Sequence, residues 1–312
     1  MGRLNVIFDE EGEVNEFYGG PILLDKDVEQ DPALLARIME WAEPINNDPN
    51  DPIVGTTDVF LQGAPRDNRV CRQQECNLGN LLADAMIWKC LESLTEEEAA
   101  NTTIIAFMNG GGIRDNINEG EIRYESDIRV VLPFSNTFDS VELEGRYVRE
   151  MLEQAVSTGV DSFPGWFLQV AGLKVTYDLC QEPYDGRVVD VQVLKHLDCL
   201  QSYYEPLDDD KVYKVIMPSF IGEGGDGYDV VPNEGDNYMA GDLGEDVLAE
   251  YIAHFTPVAR YVEGRVTFVE GECTATTSGP TTPMAASVQS TASSATTNGG
   301  GGDRDKPRKQ KP

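Results

Sequence analysis

The spacing of apolar positions changes repeatedly along the chain, and each change predicts a different element. Residues 4–8 (LNVIF) and 13–18 flank the turn Asp9-Glu10-Glu11-Gly12 and read as a short hairpin, too small to be stable alone. From Asp31-Pro32 onward, Leu34, Leu35, Ile38, Met39 and Trp41 keep helical spacing behind an N-cap Asp and a first-turn Pro, and the pattern stops at the Asn- and Pro-rich run 46–52. A strand is predicted around Val59-Phe60-Leu61, then a helix from about Asn77 whose Leu78, Leu81, Leu82, Ala85 and Met86 form one core-facing stripe. Thr103 to Met108 is a continuous apolar strand running into Asn109-Gly110-Gly111-Gly112. A strand through Val130-Val131-Leu132 precedes another at Phe138 to Leu143 and a helix at Tyr147 to Val156. Further strands are expected at Leu168 to Tyr177, Val188 to Leu194, Val212 to Met217 and Arg265 to Val269, with a helix at Leu243 to His254. Strands and helices interleave, which predicts an α/β (α+β) sandwich with a mixed sheet flanked by helices.

Residues 31–54 read as a connecting helix and linker, and 55–270 as the main domain. Beyond Cys273 the chain turns to Thr, Ser, Ala and Pro, then to Gly299 to Gly302 and a basic end. Such a composition does not bury a core, so 271–312 is expected to be a disordered tail. A glycosylated stalk and an unmodified tail are equally compatible with it.

The 312 residues suffice for one large or two modest domains. Fifty-five acidic residues against 24 basic ones give a formal net charge of −31, a surface that repels nucleic acid and anionic membranes. An anionic ligand must therefore be held by a few locally placed arginines. The six cysteines permit a disulfide framework. Cys71 and Cys76 bracket four residues, and Cys180 and Cys199 flank a hairpin turn at Asp185-Gly186, so each pair is placed to close a local loop. Asn101-Thr102-Thr103 is a glycosylation sequon consistent with an oxidising, extracellular compartment. No apolar secretory segment, membrane-spanning stretch or lipid-anchor tail is evident in these residues, and a soluble chain is expected.

The candidate chemistry lies in loops. Asn109-Gly110-Gly111-Gly112-Ile113-Arg114 sets a permissive backbone beside Arg114, whose guanidinium suits two-point contact with phosphate or hydroxyl oxygens. Pro133-Phe134 and Pro218-Ser219-Phe220 each place a ring just after a strand and a proline. Two displayed rings can sandwich a flat base, although an isolated Phe in either place also fits a core. Asp226, in the Gly-rich run 222–228, is placed to meet a sugar hydroxyl, and Arg72 would be immobilised by a Cys71–Cys76 bridge. Only His196 and His254 are present, neither in a metal-ligand pattern, so no metal site is expected and catalytic residues are assigned to none.

Taken in order, Cys71-Arg72 through Cys76-Asn77-Leu78-Gly79-Asn80-Leu81, NGGGIR at 109–114, LPFSNTFD at 132–139, FLQVAGLKVTYD at 167–178 and YKVIMPSFIGEGGDGYD at 213–229 resemble the C-terminal domain of animal ecto-5'-nucleotidases. The resemblance covers about 55–270. It makes residues 1–30 look like the end of that family's metallophosphatase domain and 31–54 like its interdomain helix.

It further implies that Phe134 and Phe220 stack on the base, Asn109 and Asp226 hydrogen-bond base and ribose, and Arg72 and Arg114 contact ribose or phosphate oxygens. The substrate implied is a nucleoside 5'-monophosphate such as AMP. Two divalent ions, usually zinc, would belong to the N-terminal domain, whose ligand motifs this sequence lacks, so the chain alone is expected to bind without catalysing. A stand-alone nucleotide- or nucleoside-binding protein is the other reading. The resemblance also implies an extracellular or cell-surface place and a homodimer formed through this domain. Where vertebrate relatives have a second Cys pair, this chain has Ala83 and Ala106.

Overall fold

The computed structural model describes residues 1–24, 28–46, 48–66, 68–198 and 201–269. In the first turn the Asp9 carboxylate accepts the main-chain N–H groups of Glu11 (3.1 Å) and Glu13 (2.8 Å), and β1 (Gly2–Phe8) pairs antiparallel with β2 (Val14–Pro21). No residue of this hairpin is buried. Asp31 caps α1 (Pro32–Asn46), accepting from the N–H groups of Ala33 (2.9 Å) and Leu34 (3.0 Å).

β3 (Ile53–Thr57) then pairs with the later segment Gly120–Arg123, so the regular strand lies before the predicted Val59–Leu61, where Leu61 makes only a single bridge to Ile117. α2 (Asn77–Glu92) starts at Cys76, and α3 (Glu96–Asn101) starts at a capping box formed by Thr95 and Glu98. β4 (Ile104–Asn109) is buried at every residue. Period-two geometry sends its side chains alternately to two cores. Ile104, Ala106 and Met108 join the α2 stripe, while Ile105 and Phe107 join the other cluster. That division explains the uninterrupted apolar run, since both faces of this strand are covered.

After β5 (Gly120–Arg123), the predicted strand at Val130–Leu132 is instead a turn of π-helix at 124–128 running into α4 (Arg129–Val131). Ile128, Val131 and Leu132 are buried while Val130 is 41% exposed, an i, i+3, i+4 pattern that three apolar residues in a row conceal. β6 (Phe138–Glu144) leads directly into α5 (Gly145–Ala155). The single strand predicted at Leu168–Tyr177 divides into β7 (Leu168–Ala171) and β8 (Leu173–Tyr177) at Gly172, where φ is 76° and an added Cβ would sit 2.2 Å from the Ile104 carbonyl oxygen. The chain changes sheets there.

The remaining elements are β9 (Val188–Asp198), β10 (Gln201–Pro206), β11 (Val212–Pro218), α6 (Ser219–Gly222), α7 (Val230–Glu234), β12 (Asp236–Met239), α8 (Gly244–Phe255) and β13 (Val266–Phe268). A five-stranded sheet runs β12-β6-β11-β4-β7, with β11 and β4 parallel and its other pairs antiparallel. A four-stranded sheet runs β10-β9-β8-β13, with β13 parallel to β8. Helices α2 and α8 cover one face of the larger sheet, and α5 with the smaller sheet covers the other. The mixed α/β sandwich expected from the pattern is present. Ala83 and Ala106 are both fully buried in one of its cores.

Cys71 and Cys76 form a disulfide. Cys180 is also disulfide-bonded, and Cys90 is a half-buried free thiol. Cys199, Cys273 and the expected tail at 271–312 lie outside the described residues. Asn101, of the sequon, is exposed at the end of α3. Among the described residues no helix is long and apolar enough to cross a membrane.

Candidate functional site

The end of β4 and the segments that follow β4 and β11, together with the disulfide turn, carry five of the six candidate residues, and Phe134, between α4 and β6, meets them at Arg114. The turn Val70–Arg72 is held from beneath by Gln169 of β7. That buried amide donates to the carbonyls of Cys71 (3.0 Å) and Gln74 (2.8 Å) and accepts the Cys76 N–H at 2.9 Å. Arg72 is thereby fixed at both ends of a closed loop.

The glycines after β4 serve a purpose different from the expected one. None of Gly110, Gly111 and Gly112 has a positive φ. Gly110 and Gly111 donate to the carbonyls of Phe167 and Gly165, each at 2.7 Å. An added Cβ on Gly110 would lie 2.1 Å from the Cys71 carbonyl oxygen. At Gly110 and Gly111 backbone lies against backbone, which brings the Arg72 turn and the 164–167 loop onto the end of β4.

Further contacts complete the ring. The buried Asn109 donates from Nδ2 to Asp226 Oδ2 at 3.0 Å. A Cβ built on Gly165 would be 3.7 Å from Asp226 Oδ2 and 3.8 Å from an Arg72 terminal nitrogen, so these two side chains converge on one point of that loop. Phe220 is 43% exposed and its ring lies over Gly225, where a Cβ would meet ring carbons at 2.6 Å. Phe134 is 58% exposed, and the Arg114 guanidinium sits 5.6 Å from its ring centroid while donating to the Gly111 carbonyl at 3.2 Å. The two aromatic loops are joined by Ser219, which donates its N–H to the Thr137 carbonyl (2.8 Å) and lies 3.3 Å from Asn136 Oδ1. Both rings are displayed, not buried in a core.

The electrostatics single out Arg72. Its Nε is buried and has no hydrogen-bond partner among the described residues. Burial, with the nearby positive charges of Arg114 and Arg69, lowers its pKa from the ordinary value, and Asp226 acts in the opposite sense. Two guanidinium groups near enough to feel each other's charge in a strongly acidic protein are chemically suited to meet an anion. Among the described residues no three His, Cys, Asp or Glu side chains converge as a metal site.

Three contributors escaped the sequence reasoning: Gln169, Gly165 and Gln154, which donates to the Asp226 carbonyl at 2.8 Å. Gln169 lies within the motif FLQV, and a polar residue alternating with apolar ones in a fully buried strand is the signal that it is a structural hydrogen-bonding side chain. Nothing in the sequence around Gln154 marks it.

A family described as "5'-nucleotidase, C-terminal domain" matches residues 53–233. A 5'-nucleotidase of Rattus norvegicus is 40% identical over 271 residues, which are 86% of this chain and 46% of that protein. A snake venom 5'-nucleotidase of Macrovipera lebetinus is 39% identical over 275 residues, 87% of this chain and 65% of that protein. Among solved structures, a 5'-nucleotidase precursor from Thermus thermophilus superimposes with a TM-score of 0.66 at 31% identity, over 87% of this chain and 50% of the other. The chain therefore spans only part of these relatives, about half of most of them.

Proposed function

This chain belongs to the 5'-nucleotidase family, whose C-terminal domain it carries, and from that premise we propose that it grips a nucleoside 5'-monophosphate such as AMP for hydrolysis to nucleoside and phosphate. The observation that supports the reading most is the buried, unpartnered Nε of Arg72 beside Arg114. Phe134 and Phe220 take the base between their exposed rings. Asn109 and Asp226 address base and ribose, and Arg72 and Arg114 hold ribose or phosphate oxygens.

On this reading residues 1–30 close a metallophosphatase domain, and 31–54 form the helix on which 55–270 turns to deliver substrate. Two divalent ions, zinc by expectation, would activate water there. Among the described residues no such centre forms, and the contribution proposed for this chain is binding and orientation. An extracellular place, a sugar on Asn101, a Cys180–Cys199 bridge and a homodimer complete the proposal.

The test is calorimetric titration of the purified chain with AMP, adenosine and ADP in the presence of zinc, with release of inorganic phosphate followed in parallel. Binding without phosphate release, lost in Phe134→Ala and Phe220→Ala, is expected. Phosphate release at enzymatic rates would overturn the division of labour, and no binding at all would overturn the grip itself.

A further inference from the structure

Asp226 holds a left-handed backbone (φ 57°) between Gly224 (φ 90°) and Gly227 (φ 82°). A non-glycine residue in this region is uncommon and persists where its surroundings hold it. Gln154, in the last turn of α5, reaches across and donates from Nε2 to the Asp226 main-chain oxygen at 2.8 Å. The amide has one possible orientation. A carbonyl oxygen only accepts, so nitrogen faces Asp226 and Oε1 accepts the Tyr184 hydroxyl at 2.8 Å.

Tyr184 sits in the turn between β8 and β9, which is clamped to the same end of α5. Glu153 Oε1 accepts the N–H groups of Gly186 (3.2 Å) and Val188 (2.9 Å), and Arg187 donates to the carbonyls of Ser157 (2.9 Å) and Val156. A Cβ on Gly227 would lie 2.6 Å from Gln154 Nε2.

We propose that Gln154 is a positioning residue for Asp226, setting ribose recognition through the loop backbone without touching the ligand, and that Tyr184 sets the Gln154 amide. This rests on the reading of the site as a nucleoside grip. The variant Q154E keeps the shape and removes the donor, turning a hydrogen bond into a carboxylate facing a carbonyl.

Adenosine and 2',3'-dideoxyadenosine, which differ only in the ribose hydroxyls, are titrated calorimetrically into the full chain and its variants. Q154E is expected to weaken adenosine about tenfold, the scale of one lost hydrogen bond, with dideoxyadenosine changed by less than about twofold. The preference for the hydroxylated sugar then collapses. Y184F, which keeps the donor but frees the amide, is expected to weaken adenosine about threefold in the same selective way, and it carries the test should Q154E fail to fold. Equal weakening of both nucleosides, as from general loosening, or no change in either variant overturns the positioning role alone. A wild-type chain that binds neither nucleoside overturns the functional reading, and the positioning role with it.

Discussion

Asn109 and Asp226, separated by 117 residues, meet in one hydrogen bond, the Asn109 amide donating to Asp226 Oδ2 at 3.0 Å. Removing either partner leaves the other in a half-buried site without its mate. Asp226→Ala and Asn109→Ala are each expected to cut adenosine affinity about tenfold or more, and the double variant to lose less than the two losses added together, with a coupling of about 1 kcal/mol. A double-mutant cycle by calorimetry measures this, and strict additivity would show that the pair does not act as a unit.

Phe134 and Phe220 contribute area, not charge. Each change to Ala is expected to weaken adenosine by about 1–3 kcal/mol, the range of base stacking on an aromatic ring, while affinity for inorganic phosphate stays within about twofold. Arg72→Ala should show the reverse selectivity. Titrating adenosine and phosphate separately distinguishes a site with two functional arms from one that collapses as a whole.

The six candidate residues were legible because Gly, Pro or Cys punctuates the sequence beside each of them and the side-chain chemistry there is unusual. β4 was legible as a continuous apolar run, and its division between two cores is what a strand covered on both faces requires. What escaped was settled by tertiary packing. Val130 lies in an apolar triplet that fits strand or helix, and the burial of Ile128, Val131 and Leu132 selects helix. Gly172 looks like any glycine in a strand until the Ile104 carbonyl approaches it. Gln154 acts through a hydrogen bond to the Asp226 main chain, distant in sequence, which no local pattern encodes.

The Cys71–Cys76 bridge closes a short loop around Arg72. Chain entropy gives such a loop about 2 kcal/mol of stabilisation, or about 5 °C in melting temperature for a domain of this size. Cys71→Ala with Cys76→Ala is expected to lose about that much. Phosphate affinity should fall only a few-fold, because Gln169 still holds the Cys71 and Gln74 carbonyls. Scanning calorimetry and phosphate titration check the two effects, and a total loss of phosphate binding with an unchanged melting temperature would contradict this account.

Tyr124 ties the segment that leads to Phe134 onto α8, its hydroxyl donating to Asp246 Oδ1 at 2.5 Å. Burial first, and then this bond beside a carboxylate, push its pKa up to about 12 from the ordinary value of 10.0. The folded state thus keeps a proton that the unfolded chain releases at lower pH. The stabilisation is fully present below about pH 10 and is lost as pH rises from there through about 12. Tyr124→Phe should be less stable than the parent at about pH 8, with the gap narrowing by about pH 11. Urea unfolding at the two pH values measures it, and a gap independent of pH would assign the loss to packing.

The most demanding prediction concerns a residue with no side chain to bind anything. A Cβ at Gly110 would stand 2.1 Å from the Cys71 carbonyl oxygen and 2.8 Å from its carbon, and neither neighbour is the yielding end of a side chain. Gly110 also donates to Phe167 at 2.7 Å, so it cannot retreat without breaking that bond. The Cys71 turn must move instead, and Arg72 moves with it. Gly110→Ala is therefore expected to weaken phosphate binding about tenfold or more, as Arg72→Ala would, because misplacing a charge-assisted donor costs most of its contribution. Adenosine binding, resting on the aromatic loops, should change less. Gly120 is the control: its φ of 114° makes Gly120→Ala strained too, but a Cβ there meets nothing within 4 Å. If Gly120→Ala lowers stability and leaves phosphate affinity alone while Gly110→Ala lowers both, then the glycine run after β4 serves as a packing surface for the Arg72 turn. If Gly110→Ala binds phosphate like the parent, the turn tolerates displacement and Arg72 is not held as rigidly as its contacts imply.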